Sequence, residues 1–127
     1  ARVRLVKGAY KEPAPLAYPD KDDVNVAFDR LAERLLERGN YPAIATHDDE
    51  RIEHAIGFAR DRGIDPARYE LQMLYGVRRE TQEEMVRRGF CVRVYVPYGA
   101  QWFPYFYRRL RERKENVSFV LRNVLRR

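Results

Sequence analysis

Four short apolar segments, each followed by a longer stretch with helical spacing, constrain the fold of this chain most strongly. The apolar segments cover residues 3–9, 41–46, 69–74 and 90–96. Adjacent parallel strands need a crossover connection, so this alternation predicts an α/β protein with a parallel sheet. A complete (βα)8 barrel needs about 250 residues, and this chain has 127. Four βα units therefore fit either a small open sheet or half of such a barrel, within a single domain.

The stretches between the apolar segments carry apolar residues three or four positions apart, which predicts amphipathic helices. In the first stretch, Val24, Phe28 and Leu31 form one stripe, and Gly39 is expected to end the helix. The predicted helices cover residues 21–38, a second stretch that stops at Gly63, about 81–88, about 101–113, and a tail at 116–127. No repeat and no low-complexity linker interrupts this order.

The positive charge is concentrated in the last third of the chain. The net charge is +6 with an isoelectric point near 9.7. Residues 1–86 hold 14 basic and 17 acidic side chains, whereas residues 87–127 hold 11 and 2. A basic segment of this kind is typical of a surface for nucleic acid or an anionic membrane, or of a small-anion site. A solvated helix whose arginine stems cover apolar surface explains it equally well.

The single cysteine and the two histidines limit the chemistry. Cys91 cannot form an internal disulfide, which predicts a reducing compartment and a buried strand thiol. His47, His54 and Cys91 are too dispersed for metal-ligand spacing, so no metal site is predicted. His54, beside Glu53 in a helix, is expected at the surface. No apolar run approaches the roughly 20 residues of a membrane span, and no signal-peptide pattern opens the chain.

Polar and glycine-containing motifs follow each predicted strand. They are Lys7-Gly8-Ala9-Tyr10, Thr46-His47-Asp48-Asp49, Leu74-Tyr75-Gly76 and Pro97-Tyr98-Gly99. In parallel α/β proteins the carboxyl ends of the strands lie at one edge, where ligands bind. The sequence therefore predicts a site at this edge.

Arg4 lies inside an otherwise apolar segment, where a buried charge needs a partner. An anion or cofactor contact and a salt bridge to a carboxylate on a neighbouring strand are equally good explanations. Alternation along a strand places Lys7 on the face opposite Arg4. If both residues serve one ligand, one of them must act at the strand end or through its backbone.

Thr46 and His47 come just before the start of a helix. A hydroxyl and an imidazole at a helix N-terminus suit a phosphate or ribose oxygen. Helix capping is the alternative, because Thr46, Asp48 or Asp49 could satisfy the first free amides of that helix.

Tyr105, Arg108 and Arg109 share one face of the fourth predicted helix, since their spacing is i, i+3 and i+4. Paired guanidinium groups suit a small carboxylate. An ordinary ion pair with Glu112 is also available to both arginines. The aromatic residues around this helix favour a core or a small-ligand pocket over a base-stacking groove.

Five motifs together resemble the FAD-dependent proline dehydrogenase family. They appear in order as RLVKGAY (4–10), THD (46–48), QMLYG (72–76), VYVPYG (94–99) and YFYRR (105–109). The resemblance covers essentially the whole chain and implies the C-terminal half of a (βα)8 barrel, followed by a tail helix. It further implies oxidation of L-proline to Δ1-pyrroline-5-carboxylate, with hydride transfer to N5 of FAD and electrons passing to a quinone.

The resemblance also assigns roles to residues. Arg4 and Tyr95 would be catalytic, with Arg4 near flavin N5, and Arg108 and Arg109 would clamp the proline carboxylate. The residues expected to line the FAD are Arg4, Lys7, Gly8, Ala9, Thr46 and His47. The residues expected around the proline ring are Leu5, Tyr10, Leu74 and Tyr105. Lys11 stands where some members of the family carry an aromatic residue.

The first four strands of the family barrel, with their active-site lysine and aspartate and an FAD-binding glutamine, have no counterpart in this chain. We therefore expect a fragment, or one piece of a two-chain enzyme, whose partner is the N-terminal half of the barrel. The isolated piece is expected to be inactive. The expected location is the cytoplasm, either free or peripheral at the inner face of a membrane. The alternatives are a basic module that binds nucleic acid or an anionic surface through residues 87–127, and a flavin-free binder of small molecules.

Overall fold

The computed structural model describes residues 1–8 and 12–100. The strands are β1 (Arg4–Val6), β2 (Ala43–Ala45), β3 (Glu70–Leu74) and β4 (Val92–Tyr95). The helices are α1 (Lys21–Arg38), α2 (Asp49–Asp61) and α3 (Arg79–Arg87), with a short 3-10 turn at Pro66–Arg68. The predicted helices at 101–113 and 116–127 lie outside the described residues. Residues 1–95 form one compact unit, and residues 96–100 belong to a second.

The four strands form one parallel sheet in the order β1-β2-β3-β4. Arg4 aligns with Ala43 on β2, and Ala43 aligns with Glu70 on β3. Tyr95 at the end of β4 aligns with Leu74 at the end of β3. The predicted α/β class with parallel strands is therefore confirmed, and each strand lies beside its neighbours in the chain.

The helices begin and end where local chemistry favours it. The Asp20 carboxylate accepts from the amide of Asp22 at the start of α1, and the amide of Gly39 donates to Leu35 O at its end. Gly63 and Gly89 have φ angles of +64° and +92°, a region that glycine enters without steric cost. They follow α2 and α3, so the predicted helix stops are confirmed to within two residues.

One face of the sheet is covered by the helices and forms the hydrophobic core. Strand alternation directs Ile44, Leu71 and Met73 to this face. The core residues, all nearly inaccessible to solvent, are Phe28, Ala32, Leu36, Ile44, Ile52, Ala55, Ile56, Ala59, Tyr69, Leu71, Met73 and Met85. Burial of this apolar surface is the main force that holds the helices on the sheet.

The opposite face of the sheet has no helix on it within the described residues, and we call it the open face. Strand alternation assigns to it Arg4, Val6, Ala43, Ala45, Glu70, Gln72, Leu74, Arg93 and Tyr95. Val6 is half exposed and Tyr95 is 41% exposed. The open face therefore presents apolar and charged side chains side by side.

Two burial predictions are wrong. The first segment was expected to be a buried strand with a buried arginine, yet Arg4 and Val6 are exposed in β1. Cys91 was expected as a buried thiol, but it is exposed and precedes β4. In both cases the reason is that β1 and β4 are the outer strands of the sheet that the structure describes, and the helices of residues 12–100 cover only one of its faces.

Candidate active site

The turns after β1, β2 and β3 lie at one edge of the sheet because these strands are parallel. The chain leaves β1 through Lys7 and Gly8, and it leaves β3 through Tyr75 and Gly76. Gly8 has φ +79° and Gly76 has φ +77°, and a Cβ added at either position would meet nothing within 4 Å. These glycines are therefore required for backbone conformation, and they leave space beside both turns.

Arg4 and Tyr95, the two residues predicted to be catalytic, contact each other. The guanidinium carbon of Arg4 lies 5.3 Å from the centre of the Tyr95 ring, a favourable cation–π distance. These residues come from the two outer strands, β1 and β4. Long side chains can meet across the intervening strands only if the open face is concave, and the small Ala43 and Ala45 of β2 leave room for them.

The Arg4 guanidinium has no carboxylate partner among residues 1–8 and 12–100, and its exposure keeps it hydrated. The salt bridge between Arg4 and a carboxylate on a neighbouring strand, which the sequence left open, is therefore not formed with any described residue. A positive charge that is held by an aromatic ring and not neutralised keeps its hydrogen-bond donors available. Arg4 can thus bind an anion or a hydrogen-bond acceptor that enters the open face.

Lys7 is directed to the other side of the sheet. Its Nζ donates to Asn25 Oδ1 at 2.5 Å and to Asp48 Oδ2 at 2.6 Å, and it lies 5.8 Å from the centre of the Phe28 ring. The prediction that Arg4 and Lys7 project from opposite faces is confirmed. The Lys7 side chain is therefore not brought together with Arg4.

Asp48 is the N-terminal cap of α2, which confirms the capping explanation for one aspartate. Its carboxylate accepts from the amide of Glu50 at 3.2 Å. The buried hydroxyl of Thr46 accepts from the amide of Asp48 at 3.2 Å and so fixes the turn that leads into the helix. The turn after β2 is thus held by its own side chains.

His47 continues the hydrogen bonding of the sheet beyond the end of β2. The β2–β3 pairing ends at Ala45 and Gln72, and the amide of Leu74 donates instead to His47 Nε2 at 2.8 Å. Nε2 is therefore an acceptor, which assigns the proton of the neutral imidazole to Nδ1. This contact joins the turn after β2 to the end of β3.

The remaining predicted site residues divide into three groups. Leu74 is buried, with strand parity that assigns it to the open face with Arg4 and Tyr95. Leu5 packs against the core under the helices, so the structure does not bring its side chain together with them. Outside the described residues lie Ala9, Tyr10, Lys11, Tyr105, Arg108 and Arg109.

Sequence reasoning missed a charged network on the open face. Glu70, only 4% exposed, accepts from Arg93 Nε at 2.7 Å and from a second guanidinium nitrogen at 2.8 Å. Gln72 also donates to Glu70, at 2.5 Å. Polar residues at alternate positions of β3 and a single arginine in β4 were the available signal. Glu70 therefore neutralises Arg93, whereas Arg4 has no carboxylate partner among the described residues.

Acid is expected to remove the stabilisation that the Glu70–Arg93 pair provides. The hydrogen bonds from Arg93 hold the pKa of Glu70 below its usual value of 4.5, although burial opposes this shift. Because the folded-state pKa is the lower one, the contribution is complete above about pH 4.5 and is lost as the pH falls through the folded-state pKa. Calorimetry should show a steeper fall of Tm below about pH 5 for the native protein than for the double variant Glu70→Gln/Arg93→Met. Parallel curves would contradict this expectation.

Other features of the described residues bear on the site only indirectly. His54 is at the surface as predicted, with Nε2 2.8 Å from Glu33 Oε1. In the part of the chain that the structure describes, no group of histidine, cysteine or carboxylate side chains could hold a metal ion. No helix within residues 1–8 and 12–100 is long and apolar enough to cross a membrane.

Comparison with known families decides the family of the chain. The family model described as "Proline dehydrogenase" matches residues 1–122. The chain belongs to the proline dehydrogenase family. Proline dehydrogenase 1 of Bacillus subtilis strain 168 is 48% identical over 124 residues, and the proline dehydrogenase of Deinococcus radiodurans is 46% identical over 124 residues. Each alignment covers 98% of this chain, but only 41% and 40% of the respective relative.

A solved structure agrees with this assignment. Proline utilization A from Bdellovibrio bacteriovorus, inactivated by N-propargylglycine, superposes with a TM-score of 0.80 at 28% sequence identity. The superposition covers 91% of this chain and 14% of that protein. This chain therefore spans about two-fifths of the length of the curated relatives it matches, and its sheet matches a small part of a larger fold. Both findings are consistent with a partial barrel.

Proposed function

We propose that this chain supplies the C-terminal half of the barrel of a flavin-dependent proline dehydrogenase. The observation that carries the proposal is the Arg4–Tyr95 pair on the concave open face, in a chain of this family. The barrel half that precedes it would close the open face and complete the site. We use the term assembled enzyme for these 127 residues together with that N-terminal half, on one polypeptide or on two.

The donor set of the described residues fits FAD. A flavin ring presents oxygen and nitrogen acceptors and gains negative charge on reduction, so it needs hydrogen-bond donors and positive charge beside a flat surface. Arg4 offers a guanidinium without a carboxylate partner among the described residues, and Gly8 leaves space where a Cβ would otherwise stand. Lys7 would contribute through its backbone, because its ammonium is engaged on the other side of the sheet.

When bound, FAD supplies the two-electron acceptor that takes hydride from the proline carbon beside the nitrogen. Arg4 would donate hydrogen bonds to the flavin and stabilise its reduced form. Thr46, His47 and Ala9 would line the cofactor from the same edge of the sheet. Tyr95 would hold the Arg4 guanidinium against its ring, and Leu74 and Tyr10 would exclude water from the reacting proline.

The substrate would be fixed by residues of the last third of the chain. Arg108 and Arg109 would bind the proline carboxylate, with Tyr105 beside the ring. Two guanidinium groups on a carboxylate orient the ring as well as bind it, and orientation is a large part of what a protein adds to hydride transfer. The electrons would then pass to a quinone, which favours peripheral association with a membrane.

The test is to purify the assembled enzyme and the 127-residue chain alone. We expect the assembled enzyme to show flavin absorbance that proline bleaches under anaerobic conditions. We expect the chain alone to hold no stoichiometric FAD, since half of the site would be missing. Flavin absorbance that proline leaves unchanged would reject the proposed substrate. Stoichiometric FAD on the isolated chain would reject the half-barrel assignment.

A further inference from the structure

The ammonium group of Lys7 lies at a junction of three segments. Lys7 belongs to the turn after β1, Asn25 to α1, and Asp48 to the turn between β2 and α2. The Nζ atom donates to Asn25 Oδ1 at 2.5 Å and to Asp48 Oδ2 at 2.6 Å. The Lys7 side chain is only 10% exposed, so water competes weakly for these hydrogen bonds. One largely buried ammonium group therefore ties two turns of the candidate site to each other and to a helix.

Asp48 uses its two carboxylate oxygens for different tasks. Oδ1 caps α2 by accepting from the amide of Glu50, and Oδ2 accepts from Lys7. Burial raises the pKa of Asp48, but the hydrogen bond and charge of Lys7, together with the backbone amide and charge of Arg51, outweigh burial, and the pKa lies below its usual value. The start of α2 and the turn after β1 are thus coupled through one carboxylate.

The coupling extends to the third strand. His47 lies between Thr46 and Asp48 in the chain, and its imidazole accepts from the amide of Leu74. A displacement of Asp48 would therefore be transmitted to His47 and to the end of β3. The turns after β1 and β2 and the end of β3 are connected by side chains as well as by the sheet.

We propose that Lys7 is a positioning residue, which holds the turns after β1 and β2 in the arrangement that binds the cofactor. Its ammonium binds Asp48 and Asn25 in the working enzyme and does not contact the flavin. This inference rests on the proposed function, because it names how that site is kept in shape. The proposal gives Lys7 a role different from that of Arg4, because the charge of Arg4 lies on the open face of the sheet.

A double-mutant cycle in the assembled enzyme tests the proposal. Lys7→Met removes the ammonium, and Asp48→Asn removes the charge of its partner while keeping a good helix cap. Loss of a charge-assisted hydrogen bond should raise the Kd for FAD at least about tenfold in either single variant. Because the two residues act as one unit, the double variant should bind FAD no more weakly than Lys7→Met alone. Fluorescence titration with FAD measures the Kd for FAD of the native protein, the two single variants and the double variant.

The proposal would be overturned if Lys7→Met and Asp48→Asn reduced the affinity for FAD independently of each other. If Lys7 contacts the flavin, the effects of Lys7→Met and Asp48→Asn will multiply, or Asp48→Asn will have none. Equal FAD affinity in all four proteins would also contradict it. Glu53→Gln is the matched control, since Glu53 also lies on α2 and pairs with Arg88 at the surface. We expect this control to bind FAD as the native protein does.

A second measurement keeps the proposal testable if Lys7→Met unfolds the protein or if no flavin binds. Asn25→Ala removes one acceptor and leaves the Lys7–Asp48 pair in place. Hydrogen exchange should then rise in peptides that contain Gly8 and Thr46, and remain unchanged in those from α3. Exchange that rises uniformly, or in one turn only, would contradict the positioning role. A native enzyme without FAD would reject the proposed function and leave this exchange test intact.

Discussion

The variant Arg4→Met is expected to reduce the rate of flavin reduction by proline at least about a hundredfold in the assembled enzyme. The loss of one preorganised donor to a developing negative charge has effects of this size. Arg4 is exposed on the open face and stacks on Tyr95, and it has no carboxylate partner among the described residues, so its removal leaves no described anion unpaired. Anaerobic stopped-flow absorbance measures the rate, and a dye-equilibration titration should show a more negative flavin potential.

Two variants control this experiment. Arg4→Lys keeps the charge but loses the guanidinium fork, so an intermediate rate is expected. The double variant Glu70→Gln/Arg93→Met removes a charge pair from the same face, and since that pair is already neutral, the rate should stay near the native value. A native rate in Arg4→Met, with flavin still bound, would exclude Arg4 from the catalytic site.

The variant Arg108→Met/Arg109→Met is expected to raise the KM for proline at least about a hundredfold. Each hydrogen bond between a guanidinium group and the buried proline carboxylate contributes binding free energy large enough to account for much of this increase in KM. The FAD content and the absorbance spectrum should stay native, because these arginines are proposed to bind substrate and not cofactor. Steady-state kinetics and titration with a non-oxidisable five-membered-ring carboxylate provide the measurements.

The matched control is Arg126→Met/Arg127→Met, which removes the same dipeptide elsewhere in the basic last third. We expect it to leave the KM for proline unchanged. The substrate clamp is refuted if both double variants reduce activity to the same small extent and both also weaken a salt-dependent binding to nucleic acid. The basic-surface alternative would then be the better explanation.

Much of the fold was predictable because it depends on local patterns. Apolar residues at helical spacing marked α1, and Gly39, Gly63 and Gly89 marked helix ends. The predicted stripe was wrong in one respect, because Leu31 is half exposed and the buried face of α1 consists of Phe28, Ala32 and Leu36. The burial of β1 was not predictable in the same way. Val3 and Val6 are apolar, but burial depends on which neighbours cover a face. An outer strand of a sheet that the described helices cover on one side remains exposed.

The place of the candidate site's strand-end motifs in the fold was predictable, but their contacts were less so. Polar motifs at strand ends correctly located Thr46 and His47 at one edge of the sheet, because parallel strands impose that geometry. The partners of Lys7 are far away in the chain, at Asn25 and Asp48, so no spacing rule could reveal them. The Glu70–Arg93 pair was missed for the same reason, because the sequence does not show which residue of another strand pairs with a charged residue inside a strand.

The order of the strands has a consequence for how the chain is made. Among the described strands, β2, β3 and β4 each pair with the strand that precedes them in the chain, so each of these three finds its neighbour already synthesised as it emerges from the ribosome. None of these three strands has to wait for a distant C-terminal segment before it gains a hydrogen-bonded edge. Pairings between neighbours in sequence also close shorter loops, which favours fast folding. We therefore expect this part of the protein to be able to assemble one strand at a time during translation, with β4 exposing the growing edge of the sheet.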